Sequence, residues 1–255
     1  MIRPPPSAHR KSPDQAPRHG LARVLSKRGI ASRTEAARWV RDGRVAVNGK
    51  VIRDPEFPVH MERDHITVDN HSAEAVERIH VMLNKPRGLV TTVTDERGRD
   101  TVYRCLDGSG LPWLAPVGRL DQASEGLLLF CNDPAWAAAI TEGRPNQVIT
   151  KTYHVQIDRV PDADLLRSLE TGVIESGESL SASSATLLRA GQKNAWLEIV
   201  LDEGRNRQIR RLLKAHNIGV LRLIRIAIGT LKLGDLPKGQ WRHLSQIEVS
   251  ELVPA

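Results

Sequence analysis

Apolar positions along the chain change period several times, and each change marks a different kind of element. The clearest stretch is Leu127-Leu128-Leu129-Phe130-Cys131, apolar throughout and without alternation. It is too short for a core helix and is bounded by Gly126 and by Asn132-Asp133-Pro134, so it reads as a strand buried on both faces. The loop that feeds it, from Pro116 to Gly126, carries Arg119 and Asp121. A polar loop held by a stiff central strand suits a catalytic carboxylate, although a single Asp in a turn is common in itself.

Toward the N-terminus, Leu21, Val24 and Leu25 form the stripe of a helix that Gly29 can end in the left-handed conformation. Ser32 and Glu35 make a capping-box pair, so a second helix starts at Arg33, with Ala36, Ala37 and Val40 inward and Gly43 closing it. Asn48-Gly49 then stands between two β-prone runs, the strongest short hairpin signal. Residues 70–78 are polar and aperiodic, as in a linker. Beyond them, 80–84 and 89–93 read as strands separated by the turn Lys85-Pro86-Arg87-Gly88. Pro134 opens a helix, and Lys151 to Ile157 alternates as a half-exposed strand. Asp162 to Glu170 is a helix ended by Gly172, Trp196 to Leu201 a strand, and the Ser-rich 176–186 a surface excursion. A helix over 205–214 would place Arg207, Arg210, Arg211 and Lys214 on one face, with Ile209, Leu212 and Leu213 inward.

Charge sharpens this picture. The 255 residues carry a formal net charge of +7, with 40% apolar and only 4% aromatic residues. A basic chain of this kind points to a polyanion, most simply nucleic acid. An anionic membrane surface is the competitor, but no long apolar segment or basic amphipathic helix with an aromatic face supports it. The span 20–50 holds Arg23, Lys27, Arg28, Arg33, Arg38, Arg41, Arg44 and Lys50 against Glu35 and Asp42. Eight against two leaves six of the seven net charges here, an asymmetry that favours a phosphate-binding surface. Residues 1–18 are basic and rich in Pro, which reads as a flexible arm better than as an organelle transit peptide. No apolar signal segment opens the chain. Cys105 and Cys131 are too few for a zinc quartet and read as ordinary thiols of a reducing compartment, so a cytoplasmic protein is expected.

LARVLSKRGIASRTEAARWVRDGRVAVNGKVI resembles an S4 domain, a small RNA-binding module, with DHITVD as its closing strand. Further on, LNKPRGLVTT, GRLDQASEGLLLFCND, KTYHV and EGRNRQIRRLL occur in the order of the S4-containing ribosomal RNA pseudouridine synthases. The tail GDLPKGQWRHL is similar to theirs as well. Four ordered motifs behind an S4 module make the resemblance specific. It implies an α+β fold, with an S4 domain followed by a catalytic domain whose mixed, mostly antiparallel central sheet is flanked by helices. The boundaries expected are 1–18 for the arm, 19–70 for the S4 domain, 71–78 for the linker and 79–255 for the catalytic domain.

The same resemblance implies roles. Asp121 would be the catalytic carboxylate, and Arg210 would pair with it and keep it ionised. Tyr153 would stack on a flipped uracil, with its phenol as a candidate proton acceptor. Arg119 would enter the space left by the extruded nucleotide or hold its phosphate. Lys85, Arg87, Lys151, Arg205 and Arg207 would line the RNA path, and Arg23, Lys27, Arg28, Arg33 and Arg38 would face RNA from the S4 domain. Gly126 would permit close approach at the strand start. Ser124 and Cys131 stand where the family usually has Thr, away from the proposed carboxylate. No metal or cofactor is implied, because the histidines lack zinc spacing. Asp107-Gly108-Ser109-Gly110 is too short for the nucleotide loop of a methyltransferase. The expected partner is ribosomal RNA, large-subunit before small, met by a monomer without a membrane. A ribosome assembly factor using the same surfaces without catalysis is the alternative; it would have no use for Asp121, Tyr153 and Arg210 together.

Overall fold

The computed structural model describes residues 17–144 and 147–254, so the basic arm lies outside the described residues except for its last two. The chain divides into two units, the first ending at Glu77 and the second starting at Arg78.

In the first unit, β1 (Arg18–Gly20) leads into α1 (Leu21–Lys27) and α2 (Arg33–Arg41). Leu21, Val24, Leu25, Ala36 and Val40 are fully buried, which accounts for the spacing of the apolar stripe. The Ser32 hydroxyl accepts the Glu35 N–H at 3.0 Å, while the Glu35 carboxylate binds Arg38 and leaves the other half of the capping box unmade. The hairpin of β2 (Val45–Val47) and β3 (Lys50–Val51) turns at Asn48 and Gly49, with φ of 50° and 81°. Both central residues of a type I′ turn need that left-handed backbone, which Asn-Gly supplies at low cost. β4 (Pro58–His60) pairs with β1, while β5 (Ile66–Val68) and β6 (His71–Ser72) extend the hairpin to a sheet of order β3-β2-β5-β6. His71 and Ser72 thus lie in this sheet, and Ala73 is buried in its core, within the stretch whose polarity suggests a linker.

The second unit opens with β7 (His80–Lys85), β8 (Ala115–Val117), β9 (Glu125–Cys131) and α3 (Pro134–Glu142). Next come β10 (Lys151–Ile157), α4 (Ala163–Thr171), β11 (Val173–Glu175), β12 (Glu178–Leu180), β13 (Ser184–Ala190) and β14 (Ala195–Leu201). α5 (Gln208–Ala215), β15 (Val220–Ile228), β16 (Leu231–Lys232), β17 (Trp241–His243) and α6 (Gln246–Leu252) complete it. The main sheet runs β13-β14-β10-β15-β9-β7-β17, with β16 on β15 and β8 on β9. Its pairs are antiparallel except β15 with β9. This is an α+β unit with a mixed, mostly antiparallel sheet.

β9 is buried along its whole length, and its two faces serve two cores. Leu127, Leu129 and Cys131 pack with Trp136 and Ile140 of α3 and Leu252 of α6. Leu128 and Phe130 pack on the other side with Val81, Leu83, Val102, Leu114 and Leu120. That two-sided burial is the reason the run shows no alternation. A third core joins α4 and α5 to the far end of the sheet.

Three local expectations are corrected. Residues 89–93 form a single bridge, Val90 with Thr101, because no neighbouring strand completes a ladder. The Ser-rich 176–186 is no surface excursion: Leu180, Ala182 and Ala185 are buried against α4 and α5. The last basic helix starts at Gln208, since Arg207 takes a left-handed backbone (φ 50°) and Arg205 and Asn206 stay outside the helix.

Candidate active site

The loop between β8 and β9 carries Asp121, and every carbonyl from Leu120 to Ser124 accepts a hydrogen bond. The Thr91 hydroxyl donates to Leu120 O at 2.7 Å. The Lys85 ammonium donates to Asp121 O at 3.2 Å and to Ser124 O at 2.8 Å. Gly88 N–H donates to Gln122 O at 2.8 Å, and Arg210 Nη2 to Ala123 O at 3.3 Å. The Leu120 side chain is buried below the loop. Three side chains and one main-chain N–H, tens of residues away in sequence, thus clamp five successive peptide units, which fixes where the Asp121 carboxylate points.

That carboxylate faces a cleft of about 200 Å³. Arg119, Lys151, Tyr153, Arg205, Arg207, Arg210 and Arg225 all line it. Arg207 Nη1 stands 3.1 Å from Asp121 Oδ2, where the sequence reading expects Arg210. The left-handed backbone at Arg207 takes it off the helix and frees its side chain to cross to the loop. Arg210, on the first turn of α5, is half-buried and holds the loop backbone instead. Burial lowers the pKa of its guanidinium, as does the nearby Arg207, while Asp121 acts in the opposite sense. Arg205 is exposed and bonded to Glu203. Arg211 is drawn away from the cleft by Glu175 and Glu178 of the β11–β12 hairpin.

Lys85 does not line an RNA path. It is fully buried beneath the loop, its three bonds go to main-chain carbonyls, and burial lowers its pKa to about 8. Arg87, two residues on, is exposed.

Three residues that the sequence assigns no role, Glu125, Gln208 and Arg225, complete the frame together with Gly126. Glu125, at the start of β9, is 3% exposed and ion-paired with both Arg222 and Lys238. Burial pushes its carboxyl up, but the hydrogen bonds from these two cations outweigh that and hold it below the usual carboxylate range. Gln208 is buried and donates to Ser181 O and Glu203 Oε1, bracing the turn before α5. Arg225 pairs across strands with Tyr153 on one side and Gly126 on the other. Gly126 has a φ of +99°, and a Cβ there would lie 2.3 Å from the Arg225 carbonyl oxygen. The one signal for Arg225 in the sequence is a charge inside the otherwise apolar run Leu223 to Ile228.

In the first unit, Arg23 and Lys27 are exposed. Arg33 and Arg38 are exposed and ion-paired with Glu56 and Glu35. Arg28 is turned inward, donating to the carbonyls of Ala73, Met61 and Asp64, and burial lowers its pKa. It staples this unit together and is not available to a phosphate. Among the described residues no three His, Cys, Asp or Glu side chains could hold a metal ion. No helix there is long and apolar enough to cross a membrane.

Residues 79–215 match the model of the RNA pseudouridylate synthase family, and residues 20–74 that of the S4 domain. The chain is 34% identical over 235 residues to ribosomal large subunit pseudouridine synthase B of Bacillus subtilis, covering 91% of this chain and 94% of that protein. An uncharacterized RNA pseudouridine synthase of Aquifex aeolicus is 34% identical over 92% of this chain and 94% of its own length. A crystal structure of a pseudouridylate synthase superposes with a TM-score of 0.64 at 27% identity, covering 92% of this chain and all of that one.

Proposed function

Because the chain belongs to the RNA pseudouridylate synthase family, we propose that it isomerises uridine in large-subunit ribosomal RNA with Asp121 as its catalytic carboxylate. The observation that carries this reading is the loop held at five successive carbonyls, which presents one carboxylate to a cleft whose other charged lining residues are all cations. The large subunit is favoured by the name of the Bacillus subtilis relative.

Isomerisation breaks N1–C1′ and forms C5–C1′. The pair of electrons from the first bond leaves with the uracil, and C1′ becomes cationic. Asp121 stabilises or captures that cation, the base turns within the cleft, and C5 then attacks C1′. A proton leaves C5 and one is taken up at N1. One carboxylate suffices because no water is activated, in contrast to the pair used by hydrolytic glycosidases. The target nucleotide must leave the RNA stack to reach the cleft. Tyr153 offers an aromatic face for the base, and the exposed Arg119, Arg205 and Arg207 suit the phosphates around it. The S4 domain docks the folded RNA. Cys105 and Cys131 are unpaired, which fits the reducing cytoplasm.

The test is chemical mapping of pseudouridine in large-subunit RNA incubated with the protein and with Asp121→Asn. We expect one or more sites formed by the wild type and none by the variant, with RNA affinity unchanged or tighter because a negative charge is removed. Turnover by Asp121→Asn would remove the assignment.

A further inference from the structure

Two cations of the cleft, Lys151 and Arg225, are in no ion pair among the described residues. Lys151 and Tyr153 lie two residues apart on β10, on one face of the strand, and both line the cleft. A register shift between Thr152 and Tyr153 sets Arg225 of β15 directly across from Tyr153, so Arg225 joins the same face. Bulges re-aim side chains in this way beside functional sites. Arg225 is only 5% exposed. Its Nε donates to Leu127 O at 2.8 Å, while its Nη2 is buried and without a hydrogen-bond partner among the described residues. The Lys151 ammonium has no hydrogen bond or ion pair among the described residues either.

Buried cations are ordinarily paired, since desolvating a charge is costly. Here Asp121 is committed to Arg207, and Glu125 to Arg222 and Lys238; Asp202 attracts Lys151 but is exposed and makes no ion pair with it. Lys151 and Arg225 also repel each other, and burial together with Arg225 lowers the Lys151 pKa against the weaker pull of Asp202. Such a pair suits a negative charge that arrives during the reaction. A backbone phosphate would meet the exposed arginines of the rim first. The group that reaches past Tyr153 is the base, which enters neutral and carries the electron pair of N1–C1′ once that bond has broken.

We propose that Lys151 and Arg225 form a cationic subsite that stabilises the uracil anion by hydrogen bonds to its carbonyl oxygens, making both catalytic residues. The inference rests on the reading of Asp121 as the catalytic carboxylate. N1–C1′ breaks with its pair moving into the ring and onto the two carbonyl oxygens, where the two cations meet it. When C5 attacks C1′, the charge leaves the oxygens and the contacts weaken. A charge present only between the two bond changes is the kind of interaction that speeds the chemistry without tightening substrate binding.

The experiment compares Lys151→Met, Arg225→Met and Arg225→Lys in single-turnover consumption of an RNA carrying uridine or 5-fluorouridine at the mapped position. Fluorine makes the base a better leaving group, so its departure needs less help. We expect Lys151→Met and Arg225→Met to slow uridine about 100-fold, to slow 5-fluorouridine markedly less, and to leave RNA affinity unchanged. Arg225→Lys, which keeps the charge, should recover part of the uridine rate. Equal slowing of the two nucleosides, wild-type rates, or a loss of affinity in step with rate would overturn the subsite, the last pointing to a phosphate contact. Lys151→Met decides the question if Arg225→Met does not fold by circular dichroism. A wild-type chain that forms no pseudouridine overturns the parent reading, and this one with it.

Discussion

Tyr153 offers two things to a pyrimidine, a ring face and a hydroxyl, and the two can be separated. Stacking is worth roughly 1–3 kcal/mol per base by truncation. Tyr153→Ala should therefore weaken RNA binding, and Tyr153→Phe should bind as the wild type does yet isomerise far more slowly if the phenol takes the C5 proton. Wild-type turnover by Tyr153→Phe would leave the ring as a platform only. Lys85 gives a prediction of a different sort, because its proton is held less tightly in the folded chain than in the unfolded one. Its pKa falls from 10.5 to about 8, so the unfolded state binds more protons between those values and stability rises with pH across that window. The gain is about 3 kcal/mol at one pKa unit per 1.4 kcal/mol. Tyr103 and Cys131, pushed up to about 12 by burial, act in the opposite sense at the alkaline end. The difference between wild type and Lys85→Met isolates the lysine. Denaturant midpoints from pH 7.5 to about 10 should climb more in the wild type than in the variant; parallel curves would mean that the ammonium is not strained by its burial.

Among the elements, β9 sets the geometry of the site, and its first two residues make that geometry work. Glu125 is locked by two cations and Gly126 is approached by β15 along the only parallel pairing of the sheet among the described residues. Any side chain at 126 would meet the Arg225 carbonyl at 2.3 Å and would need a backbone that L residues rarely adopt. Strain and overpacking together place the cost of Gly126→Ala at about 2–5 kcal/mol. Chemical denaturation should report that loss. A change below about 1 kcal/mol would mean that β9 and β15 can separate freely at this point, in which case the position of Arg225 is less constrained than its neighbours imply.

At the scale of the whole molecule, the cations outside the cleft divide into three uses. Some cations staple structure, as Arg28 does in the first unit and Lys85 in the second. Others neutralise carboxylates at the surface. The remainder, including Arg23 and Lys27, are exposed and suited to RNA. Replacing Arg23 and Lys27 together by Ala should weaken RNA binding and reduce the slope of log affinity against log salt by up to about two units, with turnover of bound RNA little changed. Arg28→Ala should instead destabilise the first unit by freeing three carbonyls. Unchanged affinity and slope in the double variant would assign docking to other basic residues.

The elements that depend on neighbouring residues were legible in the sequence. Asn48-Gly49 specified its turn, Ser32 its helix start, and the unbroken apolar run at 127–131 a strand covered on both sides. Each follows from propensity or period within a few residues. The ordered motifs brought Asp121 and Tyr153 to one cleft for the same reason that a family can be read at all, since motif residues are spaced along the chain in fixed order. Tertiary structure alone decided where the cations go. Arg207 and Asp121 meet across 86 positions, and one left-handed residue ahead of α5 settled that Arg207 and not Arg210 makes the ion pair. Lys85 reads like a surface lysine beside a turn, yet it is fully buried because three loop carbonyls converge on it. Arg225 looks like an interruption in an apolar strand until the register shift sets it opposite Tyr153. A long charged side chain takes its direction from partners brought near by folding, and no local pattern records them.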